Sequence, residues 1–437
     1  MNPTVSIVTL GCKTNQFESV AMGEQLAEAG YRQVDFASGA DLVIVNTCTV
    51  TAATDAQSRN LIRRARRFNP QARVVVTGCY AQIDPQSLSQ MPGVALVIGN
   101  QEKLRLLERL DSFAETTKIQ VGDIRNSSSI EPLSLSGFDQ RSRAFVQIQN
   151  GCDAFCSYCI IPYARGRSRS VPAAAIVAQL EKLAGNGYPE IVLTGIHIGN
   201  YGHDLQPQCD LLDLLQQIEQ SNFTGRLRLG SIEPTELPEK LYQYIARADW
   251  ICPHFHIPLQ AGDDDILRRM NRHYTTSFFA DLIDKIGQLC PDAAIGLDVI
   301  SGFPGETEDQ FDQTCRLLEA LPFSHLHVFP FSRRPGTPAA TLPEQLSGTV
   351  IKQRAAQLRQ LGEVKLHQFS HRFVGSELDI VIEAGESDGL RRGLAENYLV
   401  VAVPAAVAAP GKMIRVKISA LQQGLLLGDP VDTAEQR

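Results

Sequence analysis

Three cysteines close together, Cys152, Cys156 and Cys159, constrain this chain more than any other feature. They lie in the stretch AFVQIQNGCDAFCSYCIIPYARGRSRS, residues 144–170, where a short apolar strand over residues 144–148 empties into a loop. The spacing is Cys-x3-Cys-x2-Cys, with Tyr158 directly before the last cysteine. Three thiolates are one short of the set that holds a cubane iron–sulfur cluster, whose irons are each normally bound by a cysteine. One iron would stay open to another ligand. A structural zinc site competes for the same residues, but zinc prefers four ligands in close pairs, and no further Cys or His lies near Cys159 in the sequence.

The rest of the chain narrows the setting. Its 437 residues exceed what one core usually serves, so two or three domains are expected. The first residues, Met1-Asn2-Pro3-Thr4, lack the charged and apolar regions of a secretory signal, and the apolar run over residues 399–409 is short and broken by Pro404. The expectation is a cytoplasmic protein with no membrane segment, whose ten cysteines serve metal or redox chemistry rather than disulfides. A net charge of −7 confines any RNA contact to local patches.

Three apolar runs in the first part of the chain, residues 5–10, 41–45 and 74–77, each end at a cysteine: Cys12, Cys48 and Cys79. Near-continuous β-branched runs suit parallel strands covered on both faces. Helices are predicted over residues 18–30, 54–68 and 102–111, and a serine-rich linker over residues 126–136. This is the pattern of an open parallel α/β sheet, whose working edge is the carboxyl ends of its strands. The three cysteines should meet there as a second three-thiolate site. The helix over residues 54–68 carries Arg59, Arg63, Arg64, Arg66 and Arg67, four of them near one side, as either a solvated face or a phosphate-contacting one.

From the cysteine loop to residue 343 strands and helices alternate. About six strands are predicted, in a partial (β/α)6 barrel whose chemistry sits in loops after the strands. Polar groups suited to a nucleoside-like cofactor stand at those ends: Gly195, Ser231, Glu233, Gln260 and Gly302, with Tyr158 in the cysteine loop placed to stack near an adenine. Ser231 and Glu233 would bond ribose hydroxyls, and Gly195 would admit a close backbone approach. Cys209, Cys252, Cys290 and Cys315 share no ligand spacing and read as structural. His254 and His256 share one strand face and read as internally satisfied. After a helical linker ending near residue 372, glycine-punctuated strands over residues 378–383, 398–402, 413–418 and around Leu425 predict a small antiparallel β-barrel, a shape often used to hold RNA. Arg391 and Arg392 are its first candidates for RNA contact. The expected division is 1–137, 138–372 and 373–437.

These motifs together resemble the radical S-adenosylmethionine methylthiotransferases. TLGCKTNQFES, NTCTVT and TGCYAQ resemble the segments that carry that family's three amino-terminal cluster cysteines, GCDAFCSYCIIPYARGRSRS its radical motif, and the tail its small TRAM barrel. NTCTVTAATDAQSR, RGRSRS, SIEP and HVFPFSRRPGTPA are most similar to the branch acting on N6-threonylcarbamoyladenosine beside the tRNA anticodon. Branches acting on isopentenyladenosine or on a ribosomal-protein aspartate are the alternatives. Gly230, Ala261 and the GLRRGLAE run depart from the usual pattern. The resemblance implies two [4Fe-4S] clusters, each held by three cysteines, with S-adenosylmethionine on the open iron of the Cys152/Cys156/Cys159 cluster. It implies that one S-adenosylmethionine methylates a sulfur at the Cys12/Cys48/Cys79 cluster and a second supplies the radical that opens the C2–H bond of adenine, which acid–base chemistry cannot do. It also implies a tRNA substrate, a sulfur donor and an electron donor such as flavodoxin or ferredoxin. Arg333 or Arg334 would meet the substrate carboxylate or an RNA phosphate, with a salt bridge within a loop as the alternative.

Overall fold

The β-branched runs at the start of the chain form the strands their composition demands. Thr4–Thr9, Leu42–Thr47, Arg73–Gly78 and Val94–Ile98 pair in parallel, flanked by the short strands Arg32–Gln33 and Ile119–Gln120. The computed structural model describes residues 2–111, 118–138 and 141–431. In it Val43, Ile44, Val45, Val74, Val75 and Val76 are all buried, as a sheet covered on both faces requires. The sheet order places Thr4–Thr9 beside Leu42–Thr47, and the chain steps outward from that pair in opposite directions. Their carboxyl ends are therefore the switch point at which open α/β sheets bind ligands.

Two local readings are corrected here. The first helix is Lys13–Glu28, with Cys12 as its N-cap and no side-chain cap bond. It begins five residues before the expected start because none of the usual Ser, Thr, Asn or Asp caps announces it. The strand Val94–Ile98 was not foreseen, since so short an apolar run cannot be told from a buried helical turn by periodicity.

Six parallel strands then alternate with helices: Ala144–Gln147, Glu190–Thr194, Arg226–Leu229, His254–Gln260, Ala294–Ser301 and His325–Pro330. They pair as two three-stranded sheets joined by bridges from Leu227 to Ile251 and from Ser231 to His256, which makes the six-stranded partial barrel. Helix Lys13–Glu28 packs beside the first strand, its Phe17 and Ala21 joining Phe145 and Val146 in one core. Helix Gly348–His371 packs along the sixth.

The carboxyl-terminal strands Glu377–Ile382, Leu390–Ala395, Val400–Pro404, Leu425–Pro430 and Met413–Gln422 close into a five-stranded barrel in that order. Leu390–Ala395 is a strand the sequence reading passed over, and Tyr398 lies in the turn before Val400, with φ of 68°, rather than in a strand. That turn plugs the central barrel. The Tyr398 ring stacks on His254 at 4.4 Å, meets His325 edge-on at 5.6 Å and lies under the Arg228 guanidinium. His254 and His325 are the first residues of their strands, so the plug enters at the end where the strands start. Arg226 and Arg228 donate to carbonyls of Asp379, Leu394, Ala395 and Glu396 at 2.7–3.0 Å, and Glu190 takes both guanidinium charges. Among the described residues no helix is long and apolar enough to cross a membrane.

Candidate active site between two cysteine triads

The loop after the first barrel strand surrounds its sulfurs with donors. Cys152 Sγ receives the Ala154 N–H at 3.4 Å and lies 3.4 Å from His197 Nδ1. Cys156 Sγ receives Arg272 at 3.4 Å. Arg272 also clamps both oxygens of Glu233, which fixes the guanidinium against the sulfur. Burial disfavours charge on His197, but its contacts with Cys152 and Glu236 outweigh this and hold its pKa up at about 10. Burial pushes the Cys159 thiol up to about 12, so it gives up its proton only to a strong partner such as a metal.

The other triad sits at the switch point of the first sheet. Gly11, at φ of 93°, brings its backbone so close to Cys48 that a β-carbon there would stand 2.7 Å from the Cys48 sulfur, which is why Cys12 and Cys48 can be neighbours. The Cys48 thiol is raised to about 12, by burial first and the charge of Cys79 second. Asn15 ties the two loops together, donating to the carbonyls of Leu10 and Thr47 at 2.7 and 3.0 Å. Beneath them lies a buried charge network. Arg165, six residues beyond Cys159, donates to Glu18 at 2.9 and 3.1 Å, to Asn150 at 3.0 Å and to Asn15. Lys103 donates to Glu18 at 2.6 Å and to Asn100 at 2.7 Å, and Asn100 reaches Cys79 Sγ at 3.9 Å. One network thus runs from the barrel's cysteine loop to Cys79 and to the carbonyls of Leu10 and Thr47, just before Cys12 and Cys48.

A cleft of about 180 Å³ lies between the chain just after Cys48 and the barrel's cysteine loop, with Cys159 in its wall. Val50 and Thr51, just after Cys48, line one side, and Tyr158, Cys159, Ile300 and Phe329 line the other. Among the described residues only His256, Asp298 and His327 bring three potential ligand atoms within 4.8 Å of one another.

The sequence profile of the Uncharacterized protein family UPF0004 matches residues 4–99, and that of the Radical SAM superfamily matches residues 146–318. Threonylcarbamoyladenosine tRNA methylthiotransferase MtaB of Bacillus subtilis is 39% identical over 422 residues, 95% of this chain and 93% of that one. This chain belongs to the radical SAM methylthiotransferase family, in its MtaB branch. The tRNA-2-methylthio-N(6)-dimethylallyladenosine synthase of Pelotomaculum thermopropionicum is more distant, at 32% over 87% of each chain. The radical S-adenosylmethionine methyltransferase TsrM of Kitasatospora setae shares the fold, with a TM-score of 0.56 at 18% identity over 77% of this chain and 75% of that one. Membership in the radical SAM superfamily implies a [4Fe-4S] cluster and S-adenosylmethionine, and three all-thiol ligands ringed by N–H donors suit such a cluster.

The positions singled out in the sequence fare unevenly in this methylthiotransferase. Tyr158 and Gln260 line the cleft. Ser231 is exposed at the mouth, bridged to His256. Gly195 follows its strand, where a β-carbon would stand 2.9 Å from the Gln149 carbonyl. Glu233, expected on a ribose, has its carboxylate held by Arg272. The Gly302 N–H goes to Glu306 at 2.9 Å, and a β-carbon there would meet Ile351 of the linker helix at 2.6 Å, so helix packing requires glycine at this position. Arg334 takes the salt-bridge alternative: it is buried and donates to Asp55 at 2.7 Å and Thr49 at 2.6 Å, pinning the Cys48 loop to the barrel. Arg333 bonds the Ala340 carbonyl. Arg391 is tied to the Ala408 carbonyl and Glu386, while Arg392 is exposed. Both lie on the barrel that plugs the strand-starting end, opposite the cleft. Sequence reasoning missed Glu18, Arg165, Lys103, His197 and Arg272, which shape the sulfur surroundings. Only the density of basic residues in YARGRSRS hinted at any of them. His256 is satisfied as expected, by Asp298 at 2.7 Å, whereas His254 stacks on Tyr398 and its buried Nδ1 has no hydrogen-bond partner among the described residues.

Proposed function

We propose that this enzyme replaces the C2 hydrogen of N6-threonylcarbamoyladenosine, beside the tRNA anticodon, with a methylthio group. The observation that carries the reading is a cleft walled by Cys159 on one side and by Val50 and Thr51, just after Cys48, on the other. Cys152, Cys156 and Cys159 would hold a cluster beside S-adenosylmethionine, and that pair would supply a radical able to take hydrogen from an unactivated C–H bond. Cys12, Cys48 and Cys79 would hold a second cluster carrying the sulfur, with the methyl group coming from a further S-adenosylmethionine. Around these groups the chain's own side chains position and screen. Arg272 and His197 place positive charge against Cys156 and Cys152, which favours electron arrival there. Arg165 and Lys103 do the same for the other triad. Tyr158 and Phe329 offer aromatic faces to bases entering the cleft, and Gln260, Ser231 and Gly195 line the route to the cofactor. The network of Glu18 and Arg165 fixes the distance between the two triads, on which transfer depends.

The partners in this reading are a threonylcarbamoyl-bearing tRNA, a flavodoxin- or ferredoxin-like electron donor and a sulfur donor, all in the cytoplasm. The last barrel, about residues 373–437, acts as a TRAM-like holder of a remote part of the tRNA, with Arg392 exposed for it. Anaerobic reconstitution followed by iron counting and nucleoside analysis tests the whole. About eight irons per chain and a methylthio product support it, since each cubane holds about four. About four irons, with full activity in Cys12→Ala, remove the second cluster.

A further inference from the structure

The arginines first offered for RNA are mostly spent. Arg334 is buried in an ion pair, Arg333 and Arg391 bond carbonyls, and Arg391 and Arg392 lie on the barrel at the far end from the cleft. The opposite holds for helix Ala52–Phe68. It carries five arginines and one acid, Asp55, and that acid is turned inward to Arg334. Among the described residues none of the five has a carboxylate partner within ion-pair distance. Arg59 donates to Tyr80 Oη at 2.8 Å, and Arg64 lies over Phe36 and Phe68. Arg63, Arg66 and Arg67 are exposed, with Arg63 meeting only Asn60 and the stem of Arg66 lying over Gly93. At 100° per residue Arg59, Arg63, Arg66 and Arg67 form one stripe, flanking the buried Ser58, Ile62 and Ala65.

An unneutralised stripe on a chain of net charge −7 attracts a polyanion, and its placement says which one. The helix is capped by Thr51, a cleft-lining residue, and its first N–H donates to Ser332 of the barrel at 3.0 Å. It is therefore anchored at the reaction site and runs away from it. At 1.5 Å per residue the stripe's free arginines stand about 18–24 Å from the cleft wall. A base entering the cleft from a hairpin loop would carry its stem along this line, and RNA stems are held through phosphates and shape rather than base edges.

We propose that Arg63, Arg66 and Arg67 of this helix bind the backbone phosphates of the substrate RNA's stem, next to the loop whose base enters the cleft. The inference deepens the proposed function and rests on it for the identity of the RNA. Its test is direct binding of the full-length reconstituted protein to an anticodon stem–loop hairpin across a salt series. Each phosphate contact contributes about 0.7–0.9 to the slope of log affinity against log salt. Arg63→Ala/Arg66→Ala/Arg67→Ala should lower that slope by about 2–3 and weaken binding by about tenfold or more at low salt, with the triple Lys variant retaining most of the slope. Arg125→Ala/Arg268→Ala, at exposed arginines already paired with Asp123 and Asp265, is the matched control and should leave the slope in place. Circular dichroism and iron content report that each variant is folded. A slope and affinity equal to wild type in the triple Ala variant overturn the inference, whatever becomes of methylthiolation. Wild-type protein that binds the hairpin through these arginines yet makes no methylthio nucleoside upholds the inference and sinks the proposed reaction.

Discussion

Glu18 is the hinge of the charge network beneath the cysteines, and replacing it by Gln gives a measurable account of what that network does. Burial opposes its charge, but Arg165 and Lys103 overcome this and pull the carboxyl from 4.5 down to about 2. A carboxyl whose pKa falls on folding stabilises the fold fully above pH 4.5, and that stabilisation drains away as pH falls towards 2. At 1.36 kcal/mol per pKa unit the shift corresponds to about 3 kcal/mol. Deleting one member of a buried ion network gives a similar figure, about 3–5 kcal/mol, because two cations are left uncompensated. Glu18→Gln should therefore lower the calorimetric transition of the amino-terminal sheet by about 6–12 °C at pH 7, at roughly 2–4 °C per kcal/mol. It should also flatten the decline in stability between pH 4.5 and pH 2. Adding Arg165→Gln should cost much less than the sum of the single changes, with a coupling above about 1 kcal/mol. A fall of under 2 °C with an unaltered acid limb, or strict additivity, would refute the reasoning.

The other expectations follow from single contacts. Tyr398→Ala should cost about 2–4 kcal/mol by emptying the plug, seen as an early unfolding step of the carboxyl-terminal barrel, with iron content retained. Gly302→Val forces a side chain against Ile351 at positive φ and should lower stability by about 1–3 kcal/mol without weakening S-adenosylmethionine binding; weakened binding at wild-type stability would return Gly302 to the cofactor site. His325 is held neutral by burial, its pKa brought down to about 4, so the unfolded chain takes up its proton first. Stability should fall as pH drops from 6.5 towards 4, and His325→Asn should remove that part of the slope in a urea titration.

How far the chain could be read from its letters depended on distance along it. The Cys152 loop, the three cysteine-ending strands of the first sheet and the strands of the central barrel were legible because β-branched runs and close cysteines are local signals. That Cys12, Cys48 and Cys79 share one edge followed from parallel topology alone. The partners of the charges were not legible. Glu18 meets Arg165 across 147 positions, and Arg334 meets Asp55 across 279, so Arg334 looked free for substrate when the fold had already engaged it. Tyr398 was hidden differently, in an apolar run whose single left-handed residue turns strand into stopper.

That stopper governs traffic. With its floor occupied by an aromatic ring and its lower wall by arginines bound to the neighbouring barrel's carbonyls, the central chamber communicates with solvent at its rim. Anything that enters at that rim becomes the cover over what preceded it.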